Sequence, residues 1–512
     1  MSEQQEGAPD KFVELKDFII DPPSVQLLDL DFCLENHAVV LGVVDPHGAS
    51  QIVIGLVDVS DQALITSLRE RLKRAVAPVL LNAYEIKKAI AIGYNLPVED
   101  KESFRLSLRP QEDLAFDPDT AVTQIISEIL GQAVHRGASD LHIETYEDDV
   151  DVRLRIDGVL HQIISPLSMA NIKQAVSRVK IIAGLNIAER RVAQDGRINA
   201  VYEDGDMKRN IDFRVSVVPG PFGEDAVIRI LDSSKPLIGL TDLGFTDAEL
   251  LKFEELIANP EGMLLVTGPS GSGKTTTLYA AIQHVNTIHN KILTVEDPIE
   301  YFFPKTNQKQ ISVKMGFAAF ARAFMRQDPD TILIGEIRDE ETADVAFRAA
   351  QTGHLVLSTL HAGDAVGTIS RLRTLGIDSN LLAGSLLGAV AQRLVRRLCA
   401  ECRYETPPTP EERLRFSLSG RDRKFFKAKG CARCTGTGFK GRIGVYELFV
   451  LEDEIVDLVG EAAPVYQIRK RAIEKGMKTL LENALAKARA GLTSLDEILR
   501  VVPYRIIAAD RK

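Results

Sequence analysis

Segment 268–275 reads Gly-Pro-Ser-Gly-Ser-Gly-Lys-Thr and follows directly on the apolar run 263–267. A G-x-x-x-x-G-K-[ST] loop set between a strand and a helix is a phosphate cradle. Gly268, Gly271 and Gly273 let the backbone curl so that successive N–H groups face phosphate oxygens, with Pro269, Ser270 and Ser272 filling the turn. Lys274 is placed for the β- and γ-phosphates of a nucleoside triphosphate such as ATP, and the Thr275 hydroxyl for Mg²⁺. Thr276 opens a run in which Leu278, Ala281, Ile282 and Val285 share one helical face. A helix starting there points its positive end at the same phosphates.

Two acidic segments can complete a hydrolytic site. Segment 331–339, Thr-Ile-Leu-Ile-Gly-Glu-Ile-Arg-Asp, is an apolar strand delivering Glu336 where an acid of the Mg²⁺ shell belongs. Segment 292–300, Ile-Leu-Thr-Val-Glu-Asp-Pro-Ile-Glu, must turn at Pro298, which cannot continue a strand ladder. That leaves Glu296, Asp297 and Glu300 at the carboxyl edge of the strands, where open α/β sheets bind ligands. Segment 353–363 holds His354 and His361, and a strand ending Ser358-Thr359 with His361 beyond it is suited to sense a γ-phosphate. Four of the five cysteines form the pairs Cys399/Cys402 and Cys431/Cys434, the spacing of a tetrahedral Zn²⁺ site. The Thr-Gly-Thr-Gly-Phe run that follows can supply backbone donors to the thiolates. Cys33 lies in an apolar stretch and is expected to be a core thiol.

The elements that must position these groups come from a chain of 512 residues, too long for one core. Its 45% hydrophobic and 26% charged content is that of a globular protein, and its net charge of −10 argues against a nucleic-acid machine. The polar, acidic start Met-Ser-Glu-Gln-Gln-Glu shows no apolar h-region, and the uncharged stretch 380–392 is too short to span a membrane. A cytoplasmic protein with reduced thiols is expected. Residues 1–96 read as a small α/β domain, polar to residue 16, with strands at 38–44 and 51–57 and helices carrying Leu64, Ile65, Leu68 and Leu72 and spanning 84–94. Residues 97–118, rich in Asp, Glu, Pro and Ser, read as a linker. A second α/β domain covers 119–231, opening on a helical stripe from Val122 to Val134, and 232–243 reads as a hinge. Strand and helix patterns alternate over 244–398, predicting a mostly parallel sheet covered on both faces. A cysteine module at 399–442 and a helical end at 443–512 follow.

Together these motifs resemble the secretion ATPases that drive type II secretion and type IV pilus assembly, over residues 119 to 500. The family's Asp box is similar to 294–300, its Walker B strand to 332–339 with the unusual Glu336, and its His box to 352–362. Upstream, 138–144, 153–158 and 194–197 resemble its second N-terminal domain. The resemblance implies a RecA-like P-loop domain preceded by a PAS-like domain, in a homohexameric ATP-driven motor. It further implies that Arg214 and Arg229, with Arg197 as a further candidate, are supplied to a neighbouring subunit's nucleotide. Either Glu296 or Glu300 positions the attacking water, Glu296 being preferred, and Glu336 serves Mg²⁺.

The implied partners are an inner-membrane platform protein and a cytoplasmic-membrane anchor protein, with the ATPase peripheral on the inner face of the bacterial inner membrane. The tetracysteine module points to the extension or secretion branch rather than to pilus retraction. The acidic balance disfavours a nucleic-acid translocase, and the intact set Lys274, Thr275, Glu296, Glu336 and His361 disfavours a non-catalytic switch. The first hundred residues are loosely similar to the family's adaptor-type N-terminal domain, without the Arg-Leu-Gly repeats of its cyclic di-GMP-binding version.

Overall fold

The computed structural model describes residues 22–44, 51–81, 83–94, 104–109, 121–163, 165–205, 207–232, 234, 237–420, 422–434 and 436–509. The polar start at 1–16, most of the expected linker, and Ser233, Lys235 and Pro236 of the expected hinge lie outside the described residues. The chain divides into two compact units, Met1–Ser234 and Lys235–Lys512.

The first unit contains two sheets. β1 (Ala38–Val44) runs antiparallel to β2 (Gln51–Leu56), which pairs in parallel with β3 (Ala75–Leu80). The helix Gln62–Leu72 buries Ile65 and Leu68 of its apolar face, and Cys33 is buried as expected. The second sheet comprises β4 (Phe104–Arg109), β5 (Asp140–Thr145), β6 (Val150–Ile156), β7 (Val159–Gln162), β8 (Gln194–Asp204), β9 (Met207–Pro219) and β10 (Glu224–Leu231). Its order is β4-β8-β9-β10-β5-β6-β7. All neighbours are antiparallel. The helices Ala121–His135 and Ile172–Ile182 put Ile126, Leu130, Val176 and Val179 into its core.

β4 lies within the stretch expected to be a linker. The Asp/Glu/Pro composition there masked a period-two set, Phe104, Leu106 and Leu108, which packs on the core while the backbone pairs with β8.

In the second unit, β11 (Gly262–Thr267), β12 (Ile292–Glu296), β13 (Asn307–Gln310), β14 (Thr331–Ile334), β15 (Leu355–Leu360) and β16 (Leu386–Leu398) lie in the order β13-β12-β14-β15-β11-β16. All of these pairs are parallel. β11, β12, β14 and β15 are buried at every position, which is why they read as continuous apolar runs. A ribbon of β17 (Arg403–Thr406) and β18 (Phe425–Ala428) follows. The chain then returns as β19 (Phe439–Val450), antiparallel to β16.

Two boundaries therefore move. The cysteine module is an insertion between neighbouring strands of the main sheet, and 443–450, expected in a helical end, completes that sheet. Glu447, buried in β19, hides the strand pattern; its carboxylate is satisfied by the N–H groups of Ala365 and Leu480. The helices Val465–Glu474 and Leu480–Arg489 lie within the expected helical end. The end of the expected hinge is also committed to this unit. Leu240 and Leu243 are buried, and the Leu243 carbonyl accepts from the Gly444 N–H (3.2 Å) and the Tyr446 hydroxyl (3.0 Å).

Candidate functional site

The loop 268–275 joins β11 to the helix Lys274–Val285 at the carboxyl edge of the parallel strands. Gly268 and Gly273 take φ of 152° and 87°. A Cβ on Gly268 would stand 2.5 Å from the Gln392 carbonyl, and one on Gly273 would stand 2.8 Å from Gln392 Nε2. Only glycine fits at either place. Lys274 Nζ donates to the carbonyls of Gly268 (2.9 Å) and Pro269 (3.2 Å), curling over the loop. Burial lowers its pKa, with Glu336 opposing and Arg393 adding to the shift. Ser272 Oγ is buried without a hydrogen-bond partner among the described residues. An orphaned hydroxyl inside a glycine-walled cradle beside a lysine fits a polyphosphate.

Glu336 follows β14 and stands at the centre of an ion-pair cluster. Its Oε1 lies 2.9 Å from His361 Nε2, and its Oε2 accepts from Arg338 Nε at 2.7 Å. Arg338 also reaches Asp297 at 3.7 Å, and His361 Nδ1 lies 3.3 Å from the Gly268 carbonyl. Three segments distant in sequence thus meet around one carboxylate. His361 is the member of its segment that faces this site. The Ser358 and Thr359 hydroxyls bond the carbonyls of Ile334 and Gly335, tying β15 to β14 rather than sensing a phosphate. His354 caps the Ala349 carbonyl at 2.8 Å, a structural role.

Glu296 does not have the surroundings of a water-positioning group. It is 4% exposed and accepts from the Tyr279 hydroxyl, from Thr294 Oγ1 (2.6 Å) and from Gln308 Nε2 (3.2 Å). Burial first, and the Glu296 carboxylate after it, push the Tyr279 phenol far up, so that it stays a donor. The same phenol oxygen accepts the Glu300 N–H at 3.2 Å. Glu296 thereby holds the backbone of Glu300, whose residue is exposed at the strand edge.

Sequence reasoning missed three members of this site: Tyr279, Gln392 and Arg393. Gln392 and Arg393 are 1% and 6% exposed in β16, and Gln392 Oε1 accepts from Thr277 on the loop helix at 2.7 Å. A Gln-Arg pair inside an apolar strand is the signal that could have found them.

In the first unit, Arg197, Arg214 and Arg229 are direct cross-strand partners on β8, β9 and β10. The row continues through Asp140 on β5 to Arg155 on β6. Arg229 Nε donates to Asp140 at 3.1 Å. Arg197, Arg214 and Arg229 line a cleft of about 440 Å³.

The four cysteine sulfurs lie within 4.8 Å of one another, with separations of 3.8 Å (Cys399–Cys431), 3.9 Å (Cys402–Cys434) and 3.7 Å (Cys431–Cys434). Tetrahedral zinc–sulfur bonds require sulfurs about 3.8 Å apart. Cys434 Sγ accepts the N–H groups of Cys431 and Gly438, each at 3.2 Å. Burial alone would raise this thiol; those donors, together with the neighbouring Cys431 and Cys402 thiols, outweigh it and bring the pKa down to about 7.

A family model described as type II/IV secretion system protein matches residues 116–500. The chain belongs to this family. It is a secretion ATPase, and its residues 11–99 match a second model, the MshEN domain, which sharpens the loose resemblance of that stretch. A type IV pilus assembly ATPase of Thermus thermophilus is 38% identical over 94% of the chain, which spans 54% of that relative's length. A type II secretion system ATPase E of Vibrio cholerae is 43% identical over 79% of the chain and 80% of its own. An X-ray structure of the Legionella pneumophila ATPase DotB shares the fold, with TM-score 0.56 and 22% identity over 78% of this chain and 98% of that one. Among the described residues, no helix is long and apolar enough to cross a membrane.

Proposed function

We propose that this secretion ATPase hydrolyses Mg²⁺-ATP at the loop 268–275 and drives assembly of a type IV pilus or a type II secretion pseudopilus. The meeting of Lys274, Glu336 and His361 at one sheet edge supports the reading most directly. Lys274, Ser272 and the loop backbone hold the phosphates, and Thr275 with Glu336 would hold Mg²⁺, which supplies charge neutralisation when bound. Glu300, held in place through Tyr279, orients the attacking water, and Glu296 is its positioning residue. Cys399, Cys402, Cys431 and Cys434 hold a structural Zn²⁺.

The working form is a homohexamer, supported by the row Arg197–Arg214–Arg229, which gathers three guanidinium groups suited to a phosphate along one cleft. Each row serves the nucleotide of a neighbouring subunit. The hexamer works in the cytoplasm, peripheral to the inner membrane, on a platform protein and an anchor protein. Purified protein should turn over ATP only with a divalent cation, and Lys274→Ala should lose nucleotide binding or turnover by at least about a hundredfold. Unaltered turnover by Lys274→Ala would remove the site assignment. Failure to co-purify with any inner-membrane platform protein would remove the pilus or secretion reading.

A further inference from the structure

β16 carries a buried cation beneath the phosphate loop that the loop motif does not account for. β11 ends at Thr267 opposite Ala391, and β16 runs on, which brings Gln392 and Arg393 alongside Gly268. Arg393 is 6% exposed, and a Cβ on Gly268 would lie 3.2 Å from its Nη1. Its guanidinium donates to two backbone carbonyls, Gln392 at 2.9 Å and Gly363 at 3.0 Å. The acids whose fields reach it are Glu447 and Asp364. Both are engaged elsewhere: Glu447 by the Ala365 and Leu480 N–H groups, Asp364 by the Gly367 N–H and Arg469.

A guanidinium is expensive to bury without a close counter-charge. Placing it near a second cation, Lys274, adds repulsion instead of relieving it. Glu336 offsets the half-buried Lys274, but the buried Arg393 beside it keeps its charge uncompensated at close range, and an anion of several charges above this glycine-walled loop would stabilise both cations. Gly363 lies two residues beyond His361, so the same guanidinium also clamps the turn that brings His361 to Glu336.

We infer that Arg393 is a positioning residue for the polyphosphate. Its charge, added to that of Lys274 from within the same chain, sets the affinity of the loop for nucleoside di- and triphosphates. It also holds the 361–363 turn against that loop. The inference rests on 268–275 being the nucleotide site.

Binding of a fluorescent ADP analogue and of Mg²⁺-ATP to full-length wild type, Arg393→Met and Arg393→Lys, with kcat and KM measured alongside, tests it. Arg393→Met should bind both nucleotides at least about tenfold more weakly and raise KM in step, while Arg393→Lys recovers affinity to within about threefold of wild type. A purely structural role would make the two variants equally poor, and that result overturns the inference, as does wild-type affinity in Arg393→Met. Should Arg393→Met not fold, the lysine variant decides: near wild-type affinity supports the charge, and a tenfold loss overturns it. Wild type that binds neither nucleotide would instead remove the site itself.

Discussion

Glu296 and Glu300 belong to one short acidic segment, and their surroundings divide the work between them. Three donors engage the buried Glu296, which leaves it holding Tyr279 in place. Glu300 is exposed at the strand edge and takes its backbone position from that tyrosine. Glu300→Gln should therefore lower kcat by about 10² to 10⁴ with nucleotide affinity kept, the range of a lost general base. Glu296→Gln should behave differently, because an amide cannot accept in all the places a carboxylate does. It should cost about 1–3 kcal/mol of stability, seen as a lower thermal midpoint, with a smaller loss in kcat. If the two variants exchanged these signatures, the assignment would be reversed. Isothermal binding and steady-state kinetics on the same samples separate the two cases.

At the scale of elements, the main sheet explains why a loop motif can be read locally while its support cannot. The helix Lys274–Val285 and the loop before it are contiguous in sequence, but the floor of the loop is β16, more than a hundred residues away. The pairing of β16 with β19 across the cysteine module also makes that module part of the sheet's architecture. Zinc at Cys399, Cys402, Cys431 and Cys434 would then stabilise the connection between the two strands. Metal analysis should find about one zinc per chain. Removing it with a strong chelator should lower the thermal midpoint, because binding energy at a structural site is folding energy. A folded, reduced sample with no zinc and an unchanged midpoint would refute the assignment.

At the scale of the whole molecule, the phosphate loop lies in one unit and the arginine row in the other. If each row serves a neighbouring subunit, defects in the two units should complement. Arg229→Ala and Lys274→Ala should each be nearly inactive alone, and mixing the two before assembly should restore part of the ATPase activity, because some sites then pair an intact row with an intact loop. A mixture no more active than its parts would argue that the arginines do not act between chains.

The local chemistry is legible along the chain: the glycine spacing of 268–275, the Glu336 strand, the Cys-x-x-Cys pairs and most helix faces are all set by residues adjacent in sequence. Long-range pairing alone reveals that Glu296 is buried and engaged by three donors, that Leu106 makes an edge strand of a linker, that Gln392 and Arg393 floor the loop, and that three arginines stand in one row. Those outcomes depend on cross-strand register and on which donors fill which lone pairs. Both are properties of pairs of residues brought together from far apart, and a local pattern carries neither.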